Sequence, residues 1–198
     1  MLGLFLGLAI LVAACGKGLL PVSSAPAAPP VTRVPTPAVP TGLPSAPPIV
    51  VDPGLLGILP TSVDGVELQA APETAAGMIV DPHLARSAAA VAVGIVVAPS
   101  ASGSENLGVA SVIQLRPGVF DDAFFSQWRL DYDEAGCAPA GGVASHVQEV
   151  IGAHTVEVTI CSQGARTYHV HLPGDLIVSV TSVGDRRFAE RIMAGLRR

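Results

Sequence analysis

Tyr168-His169-Val170-His171 is the stretch of the chain best furnished for chemistry. On a strand, residues two apart point the same way. His169 and His171 therefore share one face, and Tyr168, Val170 and Leu172 share the other. In the preceding apolar run, Val156, Val158 and Ile160 make one face and leave Glu157 and Thr159 opposite. Aligning the apolar faces of the two runs as a hairpin sets Glu157 across from His169 or His171. Two imidazoles and a carboxylate form a ligand set that a divalent metal accepts. The plainer reading is the solvent face of a half-buried sheet, with Glu opposite His as an ordinary cross-strand pair. No H-E-x-x-H spacing accompanies the pair, so no metal or cofactor is expected. His146 and His154 read as turn or edge residues, and His83 as part of a helix start.

Other constellations are weaker. No G-x-S-x-G elbow or P-loop occurs, and no catalytic residue is assigned. Asp131, Asp133 and Glu134 crowd around Tyr132 without the EF-hand spacing, and read as a solvated helix face. Phe124, Phe125, Trp128 and Tyr132 read as core packing, with an aromatic ligand platform as the alternative.

The cysteines say more about location. Residues Leu2 to Ala14 are apolar or glycine. As a helix they would span about 20 Å, short of the roughly 30 Å hydrocarbon core. That length suits the apolar region of a signal peptide, although the N-terminal Met1-Leu2-Gly3-Leu4 lacks the usual basic residue. The run ends Val12-Ala13-Ala14-Cys15, which resembles the lipobox of bacterial lipoproteins. The resemblance implies cleavage before Cys15, acylation of its thiol, and a lipid anchor in the cell membrane on the extracytoplasmic side. Two or three acyl chains hold stably where one is marginal. In an exported domain the remaining pair, Cys137 and Cys161, is expected to form a structural disulfide.

These residues must be positioned by the rest of the chain. It divides into a signal peptide (1–14), a lipid-anchored Pro-rich linker (15–58) and a domain (59–198). Most of the 18 prolines fall between Pro21 and Pro60. Proline fixes φ and lacks a donor, so this stretch is an extended tether at about 3.1 Å per residue. The remaining residues are enough for one real core. A net charge of −5 gives no basic face for nucleic acid.

Within the domain, Asp81-Pro82 opens an expected helix from His83 to about Val93. Val109 to Leu115 is a strand, and Pro117-Gly118 a turn. Asp121 caps a helix to about Ala135. The runs His146–Ile151, Thr155–Cys161, Arg166–Leu172 and Leu176–Val183 read as strands. Leu172-Pro173-Gly174-Asp175 signals a hairpin turn, and Asp185 is the expected cap of a last helix carrying Phe188, Ile192 and Leu196. The expected class is α+β: an antiparallel sheet with helices on one or both faces, in a single compact domain.

The runs FDDAFFSQWRLDYDEAGCAPAGGV, CSQGARTYHVHL and VSVTSVGDRRFAERIMAGL resemble uncharacterised exported lipoproteins of high-GC bacteria. That resemblance implies a lipoprotein domain with paired cysteines and carries over no catalytic residue. The strand order and last helix are more loosely similar to α/β lipoprotein domains of the LpqN and PsbP type, an analogy of fold alone. The expected role is a binding or accessory domain at the cell surface, holding a protein, a glycan or a small lipophilic ligand. The alternatives are a structural cell-envelope protein and, further off, a metal-dependent enzyme using His169, His171 and Glu157.

Overall fold

The computed structural model describes residues 47–99 and 105–197. The leader, Cys15 and most of the Pro-rich linker lie outside the described residues. The described chain folds as α+β around one large sheet. Its strands are β1 (Val50–Val51), β4 (Gln69–Ala70), β5 (Ala88–Pro99), β6 (Glu105–Leu115), β7 (Val143–Ile151), β8 (His154–Cys161), β9 (Arg166–Leu172) and β10 (Leu176–Val183). A separate small hairpin joins β2 (Ser62–Val63) to β3 (Val66–Glu67). The helices are α1 (Pro72–Met78), α2 (Pro82–Ser87), α3 (Asp122–Cys137) and α4 (Phe188–Ala194).

The large sheet runs β1-β5-β6-β10-β9-β8-β7, with β4 also on β5. All pairs are antiparallel except β1 on β5, so the sheet is mixed. After the β5–β6 hairpin, α3 crosses to the far edge, where β7 begins. The meander β7–β8–β9–β10 then returns until β10 pairs with β6. The turn at residues 172–175 closes the β9–β10 hairpin as its Pro-Gly signal predicts, with Asp175 and Gly174 both at positive φ.

Four expectations are corrected. The alanine-rich segment after His83 stays helical only to Ser87 and then becomes strand β5. Its β-branched Val91, Val93, Val96 and Val97 favour the pleated form, and eleven residue pairs with β6 fix it there. Asp185 is not the cap of α4: that position is Arg187, in the left-handed conformation at φ 52°. The folded part begins before residue 59, because Val50 and Val51 pair with β5 and a 3-10 turn over Pro53–Ile58 packs on the sheet. Finally, the face carrying His169 and His171 is not open to solvent.

Both faces are covered at the centre of the sheet, while the edge strand β7 is exposed along most of its length. On one, Tyr168, Val170, Val178, Val180 and Val112 meet Phe188, Ile192 and Met193 of α4. On the other, Ile113, Ile177 and Val91 meet Ala75, Leu84 and the half-buried Phe120, Phe124, Phe125 and Trp128. Sequence alternation reads only the first of these, since the second is apolar on β5 and β6 but polar on β8 and β9.

The polar half is matched by α3. Arg129, Asp133 and Cys137 recur every four residues and meet Glu157, Thr159 and Cys161, which recur every two on β8. The contacts are an ion pair, a hydrogen bond and a disulfide, in that order. Four helical residues rise about 6 Å and two strand residues about 6.6 Å, so the two repeats keep step. The Cys137–Cys161 bond closes a sequence separation of 24 with Cα atoms 5.2 Å apart.

Candidate functional site

Beneath α3 lies a connected polar network. Asp133 is fully buried. Its Oδ1 faces His169 Nε2 at 2.8 Å and also accepts from the Thr167 hydroxyl. Its Oδ2 accepts from the Thr159 hydroxyl. His169 Nδ1 lies 2.8 Å from Ser179 Oγ, and His169, Ser179, Thr159 and Thr167 are all 0% exposed. The network reaches the outside at two points. His146 Nδ1, on a side chain 34% exposed, is 2.8 Å from Thr159 Oγ1. Trp128 Nε1 is 3.4 Å from Ser179 Oγ.

Donor and acceptor capacities assign the protons. A carboxylate only accepts, so Nε2 of His169 carries hydrogen and donates to Asp133. Nδ1 then accepts the Ser179 hydroxyl, whose oxygen accepts the Trp128 indole N–H. On the other arm Thr159 donates to Asp133 and accepts from His146. Burial pushes the Asp133 carboxyl up. The hydrogen bonds from His169, Thr159 and Thr167 outweigh it and hold Asp133 below the usual carboxylate range.

Ser179, His169 and Asp133 have the residue types of a hydrolase triad, but not its geometry. There the imidazole meets the nucleophile through Nε2 and the carboxylate through Nδ1; here the nitrogens are exchanged. Ser179 is also sealed, with Trp128 above its hydroxyl, and it does not line the neighbouring groove. The network ties α3 to the sheet.

The metal candidates are not gathered. His169 is engaged with Asp133 and Ser179, whereas Glu157 pairs with Arg129 and accepts from Gln148 at 2.8 Å. His171 stacks on Phe120 with ring centroids 3.4 Å apart. Among the described residues no three His, Cys, Asp or Glu side chains are placed to share a metal ion. Glu157 does stand opposite His169 in register, as the hairpin reading expects. Desolvation lowers the His171 pKa against the opposing pull of Asp175 and Asp122, and its Nε2 is buried without a hydrogen bond. Of the three acidic residues around Tyr132, Asp131 and Glu134 are exposed as expected, but Asp133 is buried.

The open space lies on the outer side of α3. A groove of about 690 Å³ runs between α3 and the α1–α2 segment, walled by Met78, Leu84, Trp128 and Tyr132, with Thr181 of β10 at its floor. Asp81, His83 and Asp131 also line it. A side lobe of about 310 Å³ shares His83, Trp128 and Asp131 and adds Arg86, Phe124 and Gln127. The aromatic row along α3 thus does two jobs. Phe124 and Phe125 pack toward the Ile113–Ile177 cluster, and Trp128 and Tyr132, with centroids 6.4 Å apart, stay half-buried and face the groove.

Sequence reasoning missed Asp133, Ser179 and the groove residues on α1 and α2. A signal for Asp133 was present. Cys137, once bonded to Cys161, fixes which stripe of α3 faces the sheet, and Asp133 lies one turn earlier on that stripe. No protein family, curated protein or solved structure matches the chain.

Proposed function

We propose that this chain is a lipid-anchored extracytoplasmic protein whose domain binds a small lipophilic ligand. The groove between α3 and α1–α2 carries the reading. Its volume falls in the range of small-ligand sites, and its lining is mainly apolar and aromatic with a few polar groups. Trp128 and Tyr132 offer large rigid faces on a helix fastened to the sheet by a disulfide, an ion pair and the Asp133 network. Such a wall presents its shape before the ligand arrives, which lowers the ordering cost of binding. A purely structural envelope protein has no need of such a groove, and a glycan site would be richer in hydrogen-bonding side chains.

The anchor at Cys15 rests on the apolar run that precedes it, and the Cys137–Cys161 bond supports an oxidising location. Binding is tested by native mass spectrometry and organic extraction of the purified protein. A retained lipophilic molecule, displaced when Tyr132→Ala opens the wall, supports the reading; a protein that neither retains nor takes up any amphiphile refutes it. The anchor is tested by labelled palmitate, which enters the wild-type chain and not Cys15→Ser.

A further inference from the structure

We infer that the groove selects amphiphiles with a cationic head, such as an alkylamine or a quaternary ammonium. The inference rests on the ligand-binding reading above and adds the chemistry of the head group. The main lobe contains two carboxylates, Asp81 and Asp131, and no arginine or lysine. The hydrogen bonds made by these carboxylates come from uncharged donors. Asp81 Oδ1 accepts from the His83 backbone N–H at 2.7 Å, and Asp131 Oδ1 accepts from Gln127 Nε2 at 2.7 Å. Among the described residues neither carboxylate forms an ion pair with a lysine or arginine, and both residues are exposed, so salt weakens their attraction for a cation.

One further feature has the same sign. The faces of Trp128 and Tyr132 carry the negative lobes of their ring quadrupoles, which attract an ammonium within about 6 Å. The polar edge of Trp128 is turned inward, its N–H donating to Ser179, so this N–H is not the group offered to an anion. An alkyl chain lies against Met78 and Leu84 while its head sits among the rings and the carboxylates. Arg86 lines the side lobe and not the main one, its guanidinium 3.3 Å from His83 Nδ1, and among the described residues an anionic head finds its guanidinium partner there.

The test uses the full chain in its oxidised form and three probes of equal tail length: octyltrimethylammonium, octyl glucoside and octyl sulfate, each below micelle formation. Affinities come from calorimetry, supported by fluorescence of Trp128, the sole tryptophan. The ammonium compound is expected to bind at least tenfold more tightly than either other probe, with the margin shrinking as salt is added. In Asp81→Asn/Asp131→Asn the ammonium and glucoside affinities converge. Asparagine still caps α2, so this variant keeps its fold, which circular dichroism checks. Equal binding of all three probes by the wild type overturns the inference and leaves the groove reading intact, and so does preference for octyl sulfate. Failure of all three to bind overturns both.

Discussion

Replacing Asp133 with alanine strikes the centre of the polar network, and its cost follows from the donors left behind. Three groups donate to this carboxylate: His169 Nε2–H and the hydroxyls of Thr159 and Thr167. Thr159 has an escape, because its hydroxyl can turn to His146 Nδ1 if that ring changes tautomer. His169 and Thr167 have none among their observed contacts and stay buried. An orphaned buried donor costs about 1–3 kcal/mol, so with two left behind Asp133→Ala is expected to lose about 2–6 kcal/mol. That is a large share of the roughly 5–15 kcal/mol typical of a domain.

Asp133→Asn keeps one acceptor oxygen, and the threonine hydroxyls can reverse to accept its amide, so its loss is about 1–3 kcal/mol. Urea unfolding followed by circular dichroism, with Cys137–Cys161 intact, measures both. The acid limb gives a second readout. A carboxyl held below its unfolded value contributes stability that is complete above about pH 4 and lost as the pH falls through the folded value. Asp133→Asn therefore loses the part of the wild-type acid dependence that lies below pH 4. An alanine variant within 1 kcal/mol of wild type, or an asparagine variant with an unchanged acid limb, would refute the argument that this network fastens α3.

Three more outcomes are expected. Cys137→Ser/Cys161→Ser loses roughly 3 kcal/mol by the loop-entropy relation for a separation of 24, read from the same urea curves. His171 is held below its ordinary value by burial, so protonation favours the unfolded chain, and stability falls as the pH drops below about 6.5. His171→Phe, which keeps the stack on Phe120, flattens melting temperature against pH between 7 and 5; an unchanged slope counts against it. A fluorophosphonate probe leaves Ser179 unlabelled in the native protein, and labelling at that residue would show that the Trp128 cover opens and that the buried serine is nucleophilic.

Much of the fold can be read from the sequence because its signals are local. The turn at Pro173-Gly174 and the Asp121 cap each lie within a few residues, and both appear where expected, as do strands β9 and β10 themselves. The readings that fail depend on partners distant in the chain. Alanine favours helix locally, yet residues 88–99 are claimed by pairing with β6. Histidine and threonine on alternate positions suggest a wet face, yet α3 brings a buried carboxylate to them. The groove has one local signal, the aromatic row of α3; its other walls come from α1 and α2 and its floor from β10, which no local pattern brings together.

The crossover by α3 also governs the order in which the chain can fold. β6 waits for β10, and the two meet across 68 positions at Ser111 and Ser179. A chain emerging N-terminus first delivers the β5–β6 hairpin early, with apolar residues on both faces and one long edge unpaired. That edge stays open until β10 arrives. Throughout this interval the hairpin is a template for strands of other molecules. The strand order itself thus ties protection of the β6 edge to the arrival of β10.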